Sequence, residues 1–142
     1  MLVIDASVAV KWLVPEAGHE EAGRVLEGRD ELIAPSIILL EVHSALLTRE
    51  RLGSLPPMAA KRSRDLWTAM AAGRTLRLVP FEELLPLSIE CSLGARHPLA
   101  DCIYLAAGLR FDAVVLTADA AMCERGPRVR AKVRMLGTSG GD

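Results

Sequence analysis

Short apolar runs alternate with longer amphipathic segments along almost the whole chain. Strands are predicted where a short run is rich in branched apolar side chains or alternates in polarity, namely in LVIDA, ELIAP, TLRLVP, DAVVLTAD and RVRAKVRML. Between these runs, apolar positions recur at three- and four-residue spacing, which indicates helices with one buried face. Strands that alternate with helices predict an α/β fold, a three-layer sandwich with a mainly parallel central sheet covered by helices on both faces.

Seven helices are expected, and several have recognisable ends. Ser7 is a predicted N-cap for the first helix, and Ser36 for the third, which ends near Gly53 after two arginines. The predicted helices are SVAVKWLV, residues 19–30, SIILLEVHSALLTRERL, MAAKRSRDLWTAMAAG, FEELLPLSIECSLGA, PLADCIYLAAGLRF and residues 120–124.

Length and composition fit one domain. The chain has 142 residues, of which 51% are hydrophobic, enough to bury a core. We expect a single domain over residues 1–137 and a disordered, Gly-rich tail over 138–142. No apolar stretch is long enough to cross a bilayer, and the first residues lack the basic region of a signal peptide, so a cytoplasmic protein without membrane contact is expected.

The charge balance gives no overall attraction to nucleic acid. There are 17 basic and 18 acidic residues, for a net charge of −1. Contact with nucleic acid would therefore depend on local basic clusters, and each of these is more often a solvated surface. The clusters are Arg49 with Arg51, Lys61 with Arg62 and Arg64, and Arg128 with Arg130, Lys132 and Arg134.

Four acids stand isolated in apolar sequence: Asp5, Glu41, Asp101 and Asp119. Burial of an ionised carboxylate is costly without a compensating partner, and none of the four has a Lys or Arg beside it in sequence. A divalent cation would compensate all of them. Asp5 and Asp119 follow predicted strands, while Glu41 and Asp101 lie near the starts of predicted helices, so all four are expected at the edge where parallel strands end.

Each acid also has a structural explanation when it is taken alone. Asp5 or Asp119 could cap the helix that follows it, and Asp101 could stabilise a first helical turn. Glu41 could pair with an arginine from elsewhere in the fold. One shared metal explains all four acids more simply than four separate structural roles.

Other kinds of site are excluded or weakly supported. The chain has no phosphate-binding glycine motif and no nucleophile elbow around Ser7. Its three histidines, His19, His43 and His97, are far apart and lack zinc-ligand spacing, so each is expected to be a surface or structural residue. Three cysteines without a CxxC pair suggest neither a disulfide framework nor a zinc site.

Several segments resemble the PIN-domain family, and within it the VapC toxins of bacterial and archaeal toxin–antitoxin pairs. The segments are VIDASVAVKWLVPE, APSIILLEVHSALLTRERLG, HPLADCIYLAAGLRFDAVVLTAD and VRML, in that order along nearly the whole chain. Their shared features are an acid that ends the first strand with Ser two residues later, a Glu in the third helix, an Asp ahead of the penultimate strand, and T-x-D at that strand's end.

The resemblance implies an endoribonuclease that depends on Mg²⁺ or Mn²⁺, acts on RNA, and is held inactive by a cognate VapB-like antitoxin. It assigns catalytic and metal-binding roles to the four isolated acids and supporting roles to the hydroxyls of Ser7 and Thr117. The chain departs from the family pattern in two places: Ser44 replaces a common Asn, which alters a supporting hydrogen bond, and Pro98 with Leu99 replaces small hydroxyl residues.

Other functions that use acids at strand ends fit the sequence less well. A phosphatase of the haloacid dehalogenase type would have an acid where this chain has Ser7, and a receiver module would have an acid pair and a late lysine. A non-catalytic PIN-like scaffold that binds RNA or protein remains the alternative. We also expect a homodimer, formed through Ala-rich helices that carry Trp67 and Met70.

Overall fold

Five parallel strands form one sheet in the computed structural model, which describes residues 1–138. The strands are β1 Leu2–Ile4, β2 Leu32–Pro35, β3 Arg77–Val79, β4 Val114–Thr117 and β5 Val133–Met135. Their spatial order is β3-β2-β1-β4-β5, and every neighbouring pair is parallel. The predicted α/β sandwich is confirmed, and the sheet is parallel throughout the described residues.

Seven α-helices connect the strands within residues 1–138, in the predicted order. They are α1 Ala6–Leu13, α2 His19–Glu27, α3 Ile38–Arg51, α4 Pro57–Ala72, α5 Phe81–Ala95, α6 Leu99–Arg110 and α7 Ala120–Arg125. A short 3₁₀ turn, Gly126–Val129, follows α7. Proline and glycine set several of these ends: α4 begins directly after Pro56, and α5 directly after Pro80.

The two predicted serine caps are wrong. Ser7 lies inside the first turn of α1, where Asp5 occupies the N-cap position without a capping side-chain hydrogen bond. Ser36 lies two residues before α3, and its hydroxyl accepts a hydrogen bond from the Phe81 backbone N–H instead. Both hydroxyls bond to segments far away in sequence, which a local pattern could not indicate.

Helices α6 and α4 contribute much of the core beside the sheet. Residues 102–108 of α6 are buried on every side, which explains why this helix shows little amphipathic pattern. Trp67 of α4 is also buried, with 1% of its surface exposed, and Met70 packs partly against the core. The expectation that Trp67 forms a dimer surface is therefore wrong, because its ring belongs to the interior of one chain.

The strand order creates a crevice beside β1. The chain passes from β1 to β2 and β3 on one side, then places β4 and β5 on the other side of β1. At such a reversal the connecting segments diverge beyond the carboxyl ends of the strands, which leaves room for a ligand. Asp5 directly follows β1 and Asp119 comes two residues after β4, so both acids lie at this point.

The described residues end at Thr138, whose hydroxyl donates to the Met135 carbonyl at 2.7 Å. Residues 139–142, most of the tail that was predicted to be disordered, lie outside the described part of the chain. None of the helices in residues 1–138 combines the length and apolar character that a membrane span requires.

Candidate metal centre

Asp5 is the most deeply buried of the four acids, with 5% of its surface exposed. One of its oxygens, Oδ2, accepts hydrogen bonds from Ser7 Oγ at 2.6 Å and from Thr117 Oγ1 at 2.7 Å. Burial raises the pKa of Asp5, and these two hydroxyls only partly oppose that effect. The negative charge of Asp101 raises the pKa of Asp5 further.

The two hydroxyls also fix the loop that carries Asp119. Ser7 Oγ accepts from the Ala118 backbone N–H at 2.9 Å, and Thr117 Oγ1 accepts from the Asp119 backbone N–H at 3.0 Å. A hydroxyl has one proton to donate. Ser7 and Thr117 therefore each accept a hydrogen bond from a backbone N–H and donate one to Asp5. The ends of β1 and β4 are thereby joined through side chains.

Glu41 lies in the first turn of α3 and is held by a tyrosine. The Tyr104 hydroxyl, from the centre of α6, donates to Glu41 Oε1 at 2.6 Å. Burial raises the pKa of Glu41, the Tyr104 hydrogen bond opposes this, and the charges of Asp5 and Asp101 add to the increase. The proposed arginine partner for Glu41 is not found within residues 1–138, where its neighbour is a neutral hydroxyl.

Asp101, Asp119 and His97 form the tightest group. One ligand atom from each lies within 4.8 Å of the other two. His97 Nε2 lies 3.1 Å from Asp101 Oδ2, yet the contact lacks hydrogen-bond geometry, so this buried nitrogen has no hydrogen-bond partner in the described residues. Burial raises the pKa of Asp101, while His97 opposes the increase and Asp119 adds to it.

Asp119 combines two of the roles considered for it. Its Oδ1 accepts from the Ala121 backbone N–H at 2.8 Å, so it caps α7 as the structural explanation required. Its carboxylate nevertheless belongs to the group with His97 and Asp101. Capping therefore fixes the direction of this side chain rather than removing it from the site.

The negative charges of the four acids repel one another. The pKa of Asp5 is raised by Asp101, that of Glu41 by Asp5 and Asp101, and that of Asp101 by Asp119. No Lys or Arg of residues 1–138 forms an ion pair with any of them, and His97 is the one basic group in contact. Ser44 is exposed, and no hydrogen bond in the described region connects its side chain to the acids.

Two residues of this site were missed in the sequence. His97 was set aside because the three histidines are far apart, although it lies four residues before Asp101, just ahead of α6, and its ring reaches back to that acid. Tyr104 stands three residues after Asp101 and was read as part of an apolar helix. Spacing relative to the acids, rather than among the histidines, would have indicated both.

The donor set fits a divalent cation. Two carboxylates and one imidazole nitrogen lie close together, with Asp5 and Glu41 nearby, and the nitrogen lacks a hydrogen-bond partner in the region described. Mutually repelling acids, one buried and three half-buried, without a Lys or Arg partner are the environment that a cation would stabilise. Carboxylate oxygens are the ligands that hard divalent cations take in proteins.

Comparison with known proteins agrees with this fold. The PIN domain family model matches residues 2–126. Similar solved structures include FitAB bound to an IR36 DNA fragment, with 16% identity, 99% coverage of both chains and a TM-score of 0.70.

Two further structures show the same fold. Mycobacterium tuberculosis VapC20, a toxin that cleaves the sarcin–ricin loop, is 13% identical, covers 87% of this chain and 95% of its own, and has a TM-score of 0.70. Rickettsia felis VapBC2, bound to a DNA fragment from its promoter, is 11% identical, covers 94% and 97%, and has a TM-score of 0.65. No curated protein sequence matches the chain significantly. The family model covers most of the chain, which therefore belongs to the PIN-domain family.

Proposed function

We propose that this protein is a metal-dependent endoribonuclease and the toxin of a toxin–antitoxin pair. The observation that carries the proposal is the His97, Asp101 and Asp119 group, whose ligand atoms lie within 4.8 Å of one another at the carboxyl edge of the sheet. A binding scaffold without catalysis would not need repelling acids at this position, since their burial destabilises the folded chain.

Asp101, Asp119 and His97 would hold a divalent cation, Mg²⁺ or Mn²⁺. The negative charges of Asp5 and Glu41 would lie nearby and add to its stabilisation. When bound, the cation supplies a lowered pKa for a water molecule and stabilises negative charge on a phosphate. The protein itself provides orientation. Ser7 and Thr117 hold Asp5, and these contacts pre-form the site before substrate arrives.

The proposed partners follow from family membership and from the similar structures. FitAB and VapBC2 are assemblies of the toxin–antitoxin type, and VapC20 cleaves a structured RNA. For this chain we propose a cognate VapB-like antitoxin, an RNA substrate and a cytoplasmic location. The antitoxin would inhibit by placing an arginine among the acids, where one guanidinium satisfies two carboxylates.

Cleavage of total RNA by the purified protein, in Mn²⁺ and in EDTA, tests the activity. We expect cleavage that requires metal and that is lost in Asp5→Asn and in Asp101→Asn, because each substitution removes one charge from the site. Asp65→Asn is the matched control, since Asp65 is an exposed acid paired with Lys61. A parent protein that binds Mn²⁺ but cleaves none of the RNA would instead support the non-catalytic PIN-like scaffold.

Metal binding tests the assignment of His97 without relying on activity. His97→Gln should weaken Mn²⁺ binding about 10–100-fold by calorimetry, because it removes the nitrogen donor or the group that positions Asp101. The Mn²⁺ electron spin resonance signal of the parent should show coupling to a nitrogen nucleus, which the variant lacks. His43→Gln, on α3, serves as the control; equal Mn²⁺ affinity in all three proteins would exclude His97 from the site.

A further inference from the structure

A cavity of about 300 Å³ adjoins the acids between α1 and α3. Ser7 and Glu41 line its side nearest the proposed metal centre, while Lys11, Glu16 and Arg49 line the remainder. The cavity thus connects an acidic site to two cations. Neither Lys11 nor Glu16 was singled out in the sequence, and Arg49 was read as part of a surface cluster.

Glu16 holds both cations in place. Arg49 Nε donates to Glu16 Oε2 and Arg49 Nη2 to Glu16 Oε1, each at 3.1 Å, in a two-point contact. Lys11 Nζ donates to Glu16 Oε1 at 3.2 Å and to the Ala17 carbonyl at 2.7 Å. Burial alone would raise the pKa of Glu16, but Arg49 and Lys11 outweigh that effect and lower it, so Glu16 is ionised at neutral pH.

The position of Lys11 is built into the fold. Gly18 has a positive φ of 89°, and a Cβ atom there would lie 2.9 Å from Lys11 Cδ. The absence of a side chain at Gly18 lets the lysine stem lie flat against the loop between α1 and α2. Arg49 is fixed similarly, because its Nη1 donates to the Ala45 carbonyl at 3.2 Å on the same helix.

Within residues 1–138, both cations have N–H groups that no hydrogen bond uses. The guanidinium has five N–H groups, of which three are used by Glu16 and Ala45, and the ammonium has three, of which two are used by Glu16 and Ala17. Two positive charges against one negative charge leave this part of the cavity with a charge of +1. An anion can therefore bind without the loss of every existing contact.

We propose that this cavity binds a phosphate of the RNA backbone next to the one that is cleaved, and that Glu16 competes with that phosphate for Arg49. The proposal rests on the ribonuclease function proposed above. A strand leaving the acids past Ser7 and Glu41 meets Arg49 and Lys11 next, and the planar guanidinium matches a phosphate as it matches a carboxylate. Glu16 then acts as a built-in competitor that lowers affinity for RNA.

A purely structural role for the Lys11, Glu16 and Arg49 cluster gives a different expectation. As a clamp, it would hold the loop before α2 against α3, and loss of any member would weaken folding. Every substitution would then reduce RNA binding in the same direction. As an anion site, substitutions at Glu16 and at Arg49 have opposite effects on RNA affinity.

Fluorescence anisotropy of a short labelled single-stranded RNA, in EDTA to prevent cleavage, distinguishes the two roles. We expect Arg49→Gln to weaken binding about three- to tenfold and to reduce the salt dependence by roughly one phosphate contact. Glu16→Gln should tighten binding by a similar factor. Arg51→Gln and Glu20→Gln are matched controls, because they remove the same charges from exposed neighbouring positions and should leave affinity within about twofold.

Weaker binding by both Glu16→Gln and Arg49→Gln, or no change in either, would overturn the proposal. Competition by poly-glutamate as strong as competition by RNA would also overturn it, because the cavity would then be a site for acidic peptide. Cleavage of RNA by the parent in Mn²⁺ separates the two proposals. If the parent cleaves RNA and the variants bind as the parent does, only the phosphate site is excluded; if the parent does not cleave, the ribonuclease function fails.

Discussion

Individual side chains around the acids have neutral partners where a folded protein would ordinarily use cations. Tyr104 donates to Glu41, and Ser7 with Thr117 donates to Asp5. A hydroxyl partly satisfies a carboxylate but does not neutralise it, so the repulsion among the acids persists in the metal-free protein. Two such charges about 5 Å apart repel by about 3 kcal/mol at an effective dielectric near 20.

Glu41→Gln should therefore stabilise the metal-free protein at pH 8. The pKa of Glu41 is raised in the folded state, so the ionised form destabilises the fold above that pKa, and the penalty disappears below the ordinary value of 4.5, where the acid is protonated in both states. The glutamine can still accept from Tyr104. We expect a melting temperature a few degrees higher in EDTA at pH 8 and no difference near pH 4.

Metal binding should stabilise Glu41→Gln less than it stabilises the parent protein. Mn²⁺ at a hundred times its dissociation constant stabilises the parent by about 2.7 kcal/mol, and a weaker site gains less at the same concentration. Glu27→Gln, at the exposed end of α2, controls for the loss of one charge. If Glu41→Gln melts below the parent in EDTA at pH 8, its hydrogen bond outweighs the repulsion and Glu41 is a structural residue.

At the level of single residues, the sequence identified the four acids but not the residues that contact them. Asp5, Glu41, Asp101 and Asp119 were recognisable because an ionised group inside an apolar run is chemically unusual. His97 and Tyr104 were not, since a histidine next to proline and a tyrosine in an apolar helix are both common. The role of Tyr104 depends on which face of α6 turns toward the strand ends, and the local pattern of a helix buried on all sides does not reveal that face; His97 precedes the helix, so no helical pattern includes it.

Among the elements, α6 carries two residues of the site and packs tightly against the sheet. Asp101 and Tyr104 are on this helix, and its far end meets β4 at Gly108. A Cβ atom at Gly108 would lie 2.7 Å from Val115 Cγ2 and 3.2 Å from the Ala113 carbonyl oxygen. The glycine thus sets how closely the helix approaches the sheet.

Two glycine substitutions test this packing with opposite expected signs. Gly108→Ala should lower the free energy of unfolding by about 1–3 kcal/mol, because the backbone or Val115 must move. Gly23→Ala, in α2, should raise it by about 0.5–1 kcal/mol, since nothing lies within 4 Å of its Cβ position and alanine favours a helix. Urea denaturation measures both, and a Gly108→Ala protein as stable as Gly23→Ala would show that α6 can shift freely.

Most helix boundaries were predictable, and the reason is local, whereas the predicted last strand RVRAKVRML is a strand only over Val133–Met135. The predicted fifth helix agrees with α5, Phe81–Ala95, because Pro80 precedes it and its apolar pattern ends at Ala95. The serine caps failed since the Ser7 and Ser36 hydroxyls accept hydrogen bonds from backbone N–H groups far away in sequence, those of Ala118 and Phe81. The parallel sheet was predictable from alternation of elements, whereas the place of β1 between β2 and β4 became visible only in the structure.

For the whole molecule, the surface combines near-neutral charge with several exposed apolar side chains. On α3, Leu40 and Leu47 are 66% and 49% exposed and stand two helical turns apart. On α5, Ile89 and Leu93 are 50% and 77% exposed and stand one turn apart. We expect a second copy or an antitoxin to bind through one of these rows rather than through Trp67.

We expect a homodimer, and light scattering at micromolar concentration should measure twice the chain mass. If one of these rows forms the dimer interface, replacing its two exposed apolar residues with lysine should convert the dimer to a monomer. The two matched variants are Leu40→Lys with Leu47→Lys, and Ile89→Lys with Leu93→Lys. A parent that is monomeric throughout the concentration range contradicts the expectation.

The hydrogen bond between Thr117 and Asp5 joins residues 112 positions apart. A ribosome that has made the first hundred residues has already released Asp5 and Glu41, but β4 and Asp119 do not yet exist. A partly synthesised chain therefore lacks the group that would hold the metal, and no fragment that stops before Thr117 can assemble it.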